Sequence, residues 1–120
     1  MDDNEVTEKI IGAFYKVYNS LGYGFLEKVY ERALAVEFGR VDLKFGRQVP
    51  IDVCYEEVVV GNYVADFIVE GSIVVEVKAI REITECDGKQ LLNYLRVSGK
   101  RLGLVLNFGR EAEVKRKIFG

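Results

Sequence analysis

The chain has 120 residues, 49% of them apolar and 30% charged, with a formal net charge of −2 and no histidine. That length encloses one hydrophobic core and is short for two, so a single domain spanning residues 1–120 is expected. The missing imidazole excludes histidine-based acid–base catalysis and His-ligated metal sites, and the slight negative charge argues against a protein that coats nucleic acid nonspecifically.

Residues 4–21 place Val6, Ile10, Ile11, Phe14, Val17, Tyr18 and Leu21 at helical spacing, with Asn4 as N-cap. Gly22-Tyr23-Gly24 breaks this helix. A second amphipathic helix over 25–38 carries Leu26, Val29, Tyr30, Ala33 and Leu34, and Gly39 closes it. The pattern then turns to β: residues 43–49, 51–55, 58–60, 63–69 and 73–80 are short runs rich in Val, Ile and Tyr, and Pro50 suits a strand edge. A third helix is expected over 85–97, with Thr84 as N-cap, Asp87 in the first turn and Gly99 as the stop. Residues 102–108 read as a wholly buried strand and 111–119 as a short terminal helix. The order predicts an α/β (α+β) fold, a mixed central sheet with an antiparallel meander flanked by helices.

No apolar run approaches the length that crosses a bilayer, and Met1-Asp2-Asp3-Asn4-Glu5 is acidic where a secretory signal would be basic. A cytoplasmic protein without membrane contact is expected. Cys54 and Cys86 lack metal-type spacing, which speaks against a zinc site or a disulfide framework. Basic residues crowd the last quarter (Arg96, Lys100, Arg101, Arg110, Lys115, Arg116 and Lys117), a distribution that suits an approaching phosphate backbone but also an ordinary solvated face.

Charged residues set into strand-like apolar runs are the strongest chemical signal. Asp66 interrupts one run, and Glu76 and Lys78 interrupt the next. Glu76 and Lys78 lie two apart and so share a face. A two-residue turn at Gly71-Ser72 would point Asp66 away from them, whereas a three-residue connection through Glu70, Gly71 and Ser72, or a bulge, restores a common face; the odd-length loop is predicted. Such a cluster would hold Mg²⁺ or Mn²⁺, with the Val77 carbonyl as a further oxygen donor and Lys78 orienting or deprotonating an attacking water. An exposed Glu–Lys pair on a half-solvated strand is the plain alternative.

Gly24, Glu27 and Tyr30 form a Gly-x-x-Glu-x-x-Tyr motif with Glu27 and Tyr30 one helical turn apart. Together with Arg47-Gln48-Val49-Pro50, Tyr63 through Asp66, Glu76-Val77-Lys78, Gln90 through Leu95, and Asn107-Phe108-Gly109, it resembles the GxxExxY family of small proteins in the PD-(D/E)xK nuclease-like superfamily. The resemblance implies a restriction-endonuclease-like core and Mg²⁺-dependent cleavage of DNA or sometimes RNA. It implies Glu27 as an extra acidic ligand beside Asp66, Glu76 and Val77, catalytic roles for Lys78, Glu76, Asp66 and Glu27, and a pocket lined by Gln90, Tyr94 and Tyr30. The family commonly has a histidine at the position of Asp87 and a basic residue at that of Val64, so this chain departs from the family pattern where substrate would be gripped and keeps it at the acidic and lysine positions.

The expected function is therefore that of a metal-dependent DNA endonuclease, working as a homodimer because so small a chain offers little surface to grip a duplex, with apolar residues of the first helix as the dimer face. The alternatives are a catalytically silent nuclease-like module that binds nucleic acid or a partner, and a module unrelated to nucleic acid whose acidic pocket fixes an ion.

Overall fold

The computed structural model describes all residues, 1–120. It contains α1 (Asp3–Leu21), α2 (Glu27–Arg40), β1 (Phe45–Tyr55), β2 (Val58–Val69), β3 (Ile73–Lys78), α3 (Glu85–Ser98), β4 (Leu102–Phe108) and β5 (Ala112–Ile118). The five strands form one sheet in the order β1-β2-β3-β4-β5. Neighbours are antiparallel except β3 and β4, which run parallel because α3 carries the chain back between them. No helix is long and apolar enough to cross a membrane.

Helix α1 begins one residue before the expected start. Asp2 rather than Asn4 is its N-cap, with a carboxylate oxygen accepting the Glu5 amide at 2.9 Å. Its stripe of Val6, Ile10, Ala13, Phe14 and Val17 is buried, so α1 spends its apolar side on the core and does not offer the expected dimer face. Helix α2 starts at Glu27 and runs through Gly39, the expected stop, to Arg40. At α3 the expected cap is present as a full capping box. Thr84 accepts the Asp87 amide, and the Asp87 carboxylate accepts the Thr84 amide at 2.8 Å.

The four short runs expected before residue 70 merge into two long strands. Pro50 does not interrupt β1, because β1 is an edge strand and tolerates a missing donor. The terminal segment is a strand, not the expected helix. Ala112 and Val114 pack against the core while Lys115 and Arg116 are exposed, and the segment satisfies the backbone edge that β4 would otherwise leave open.

Eighteen buried residues form the core on the α1/α2 side of the sheet, including Phe14, Leu34, Phe38, Phe67, Val75, Val77, Leu104 and Phe108. A smaller cluster of Ala65, Val74, Leu91, Leu95 and Val105 lies under α3. The β1–β2 hairpin extends past the sheet and exposes Tyr55, Val58, Val59 and Val60 together, whereas α1 exposes only Tyr15 among its large apolar residues.

Candidate active site

The connection from β2 to β3 is the three residues Glu70, Gly71 and Ser72, the odd length that parity demanded. Val69 faces Ile73 and Phe67 faces Val75, and there the pairing stops. The strands part beyond that point, and the Val77 amide turns from the ladder to donate to Asp66 Oδ2 at 2.7 Å. The divergence opens a gap in the sheet that holds Asp66 and Glu76.

The neighbours of Asp66 come from two elements. Gln48 Nε2 donates to Asp66 Oδ1 at 3.2 Å and also to Glu31 Oε1. Glu31 is only 5% exposed, and its second oxygen takes Arg47 Nη2 at 3.1 Å. Gln48 has φ of 50°, a left-handed conformation unusual for a side chain this size, and the two carboxylates on its amide hold it there. A cleft of about 420 Å³ is lined by Glu27, Lys28, Glu31, Arg32, Arg47, Gln48, Asp66 and Val77.

Glu76 alternates with Val75 and Val77 and so points to the α3 side, where Tyr63 of β2 and Tyr94 of α3 stack with centroids 3.4 Å apart. Burial, followed by the charge of Asp66 and a hydrogen bond shared with it, pushes the Glu76 carboxyl up to about 9, and Lys78 only partly offsets this. Asp66 is raised chiefly by burial, opposed by the Val77 amide and Gln48. Glu27 stands at the mouth of the cleft, its pKa raised by partial burial and by Asp66 and lowered by Lys78. Burial and the Glu76 charge raise the Tyr94 hydroxyl, and the same two causes lift that of Tyr63 far above the phenol range. Glu76 Oε1 and the Tyr63 hydroxyl are buried without a hydrogen-bond partner. Two orphaned oxygens beside two coupled carboxyls are costly unless something fills the space between them.

Asp66, Glu76, Lys78, Val77 and Glu27 are thus brought to one place, and Tyr94 joins them from α3. Gln90 is exposed one turn before Tyr94. Tyr30 is not in the pocket at all. It is wholly buried, stacks on Phe108 at 4.1 Å and donates its hydroxyl to the Gly22 carbonyl at 2.6 Å. Sequence reasoning left Glu31 and Tyr63 out of the site. Glu31 is signalled by its position four residues after Glu27, and Tyr63 by its place in the same run as Asp66. Asp87, where the family commonly has a histidine, is occupied by the α3 cap.

No three acidic side chains come close enough to form a ligand set of carboxylates alone. Asp66 and Glu76 are close enough to shift each other's titration, and Val77 lines the cleft beside Asp66. Two carboxylates and a carbonyl, completed by water or phosphate oxygens, suit a hard divalent ion such as Mg²⁺, and the orphaned Glu76 oxygen fits that use.

No curated protein and no solved structure matches the chain. Residues 4–117 match the family model described as the PD-(D/E)XK nuclease superfamily. The mixed sheet, flanked by helices and broken open at Asp66 and Glu76, is consistent with the restriction-endonuclease-like core of such proteins. With nearly its whole length covered by that model, the chain belongs to the PD-(D/E)XK nuclease superfamily.

Proposed function

We propose that the protein is a divalent-metal-dependent phosphodiesterase that cuts DNA, with Mg²⁺ or Mn²⁺ held by Asp66, Glu76 and the Val77 carbonyl. The observation that supports this most is the buried, mutually coupled pair Asp66–Glu76 with an orphaned oxygen on Glu76 and Lys78 beside it. A bound ion would supply positive charge for the scissile phosphate and make a coordinated water more acidic. Lys78 orients the attacking water and takes part in its deprotonation, as its place beside both Glu76 and Glu27 allows. Glu27 orders water at the cleft mouth as an outer acidic group. The chain Arg47–Glu31–Gln48–Asp66 holds the Asp66 carboxylate in one orientation, since each link is a charged or amide hydrogen bond. Tyr94 covers Glu76 from the α3 side, and Gln90, one turn away, reaches for phosphate only once DNA is bound. The exposed free thiols of Cys54 and Cys86 suit a reducing cytoplasm.

The test is nicking of supercoiled plasmid with Mg²⁺ or Mn²⁺. Activity should vanish on chelation and fall at least about 1,000-fold, roughly 4 kcal/mol of barrier, in Glu76→Ala and in Lys78→Ala. Salt-sensitive DNA binding with no cutting of plasmid or of single-stranded DNA under any divalent ion would refute hydrolysis and leave a silent binding module.

A further inference from the structure

Two aromatic rings stand outward on the α1–α2 loop: Tyr23 is 56% exposed and Phe25 48%. Their backbone is held in place from beneath. Tyr30 donates its hydroxyl to the Gly22 carbonyl and accepts the Phe25 amide at 3.1 Å, and its ring meets that of Phe25 edge-on at 6.1 Å. Gly24 has φ of 109°, which a residue with a side chain would resist.

Tyr23 and Phe25 share a cavity of about 300 Å³ with Arg81 and Arg110. Neither arginine is in an ion pair. The loops that carry them are locked together. Asn107 is wholly buried and both accepts from and donates to the backbone of Ile80, at 2.9 and 3.0 Å. Gly109 lies so near that a Cβ there would stand 2.5 Å from the Ile80 carbonyl oxygen. The Tyr18 hydroxyl, within 2.8 Å of both the Gly109 and Arg110 carbonyls, ties the turn to α1. Two guanidinium groups and two rings therefore project from a rigid platform.

The platform adjoins the cleft along the chain. Phe25 precedes Glu27 by two residues and Arg81 follows Val77 by four, so the backbone at each is within roughly 15 Å of a cleft residue. A neighbouring cavity adds Glu82, Glu111 and Glu113 to Tyr23, Arg81 and Arg110. Glu113 is occupied with the Ile83 amide and the Asn107 side chain. Glu82 and Glu111 would repel a long run of phosphates, which disfavours the paired backbones of a duplex and leaves room for one nucleotide. Exposed rings stack on bases whose faces are free, and a duplex hides those faces.

We propose that Tyr23, Phe25, Arg81 and Arg110 form a binding site for an unpaired nucleotide next to the cleft, so that the preferred DNA is single-stranded or frayed rather than intact duplex. The site refines the phosphodiesterase reading by naming its substrate class, yet its test needs no cutting. Fluorescence anisotropy of the full chain, with chelator present, should give a labelled 15-nucleotide single strand at least about tenfold tighter than the blunt duplex of the same sequence. Tyr23→Ala combined with Phe25→Ala should weaken single-strand binding by about 5- to 100-fold while duplex binding is unchanged, with Tyr23→Ala alone, which leaves the Phe25–Tyr30 contact in place, weakening it severalfold at an unchanged melting temperature. Arg81→Ala, which removes an exposed side chain that is in no ion pair, should weaken it severalfold. Equal affinity for the two DNAs, or folded variants that bind the single strand as the native chain does, would overturn the site. A chain that never nicks but keeps the preference would remove hydrolysis while supporting this site.

Discussion

The two sides of the sheet are unequal. On the α1/α2 side eighteen residues close into one core, with Phe14, Phe38 and Phe67 among them, whereas the α3 side buries five. The heavily packed side provides most of the apolar burial. The lightly packed side leaves the sheet free to part at β3, with Tyr63, Tyr94 and Glu76 in the gap. Apolar burial is thus concentrated on one side of the sheet, while the candidate site straddles its seam, drawing Glu27 and Glu31 from α2 and Glu76, Tyr63 and Tyr94 from the lighter side.

Phe67→Ala should probe the heavier side most severely, destabilising by about 3–5 kcal/mol in urea titrations, because Phe67 packs against both Phe38 and Phe45. Leu95→Ala under α3 should cost about 2–3 kcal/mol, the low end for such a truncation, since few neighbours lose contacts. If the second loss matched the first, the asymmetry would be wrong.

The pH dependence sharpens the contrast further. Glu76 is raised in the folded state to about 9 from an ordinary 4.5, so the native chain holds a proton that the unfolded chain releases between those values. The Glu76 contribution to metal-free stability should therefore be fully present below about pH 4.5 and be lost as pH rises toward 9, lowering the melting temperature by several degrees. Glu76→Gln should flatten that decline and melt above the native chain at pH 8, while Mg²⁺ should restore the native chain alone. A native profile as flat as that of Glu76→Gln would show that burial and Asp66 do not raise the Glu76 carboxyl. The smallest change is expected from Thr84→Ala, about 1 kcal/mol, through loss of the α3 capping box rather than of packing.

Much of this was legible because strand parity is rigid. Given charged positions 66, 76 and 78, the length of the loop between the strands follows, and three residues are what the chain uses. Helical spacing is less exacting. Residues three apart differ by about 60° around the axis, enough for Glu27 to reach the cleft mouth while Tyr30 turns into the core. Glu31 was missed because a glutamate one turn further along reads as a solvated face until Arg47 and Gln48 are folded against it. The last strand was missed because the open edge of β4 that recruits it is a tertiary fact, and its run of Lys115, Arg116 and Lys117 hides the alternation.

The hydrogen bond from the Val77 amide to Asp66 has a practical consequence for mutagenesis. Where a backbone carbonyl would ordinarily serve as the rung, a side chain does so, and Asp66 is both a prospective ligand and a piece of scaffolding. An inactive Asp66→Ala chain would conflate the two duties, whereas Asp66→Asn keeps an acceptor for the Val77 amide while it forfeits the charge and the second oxygen that accepts from Gln48. Amide exchange at Val77, slow in Asn and fast in Ala, would tell them apart.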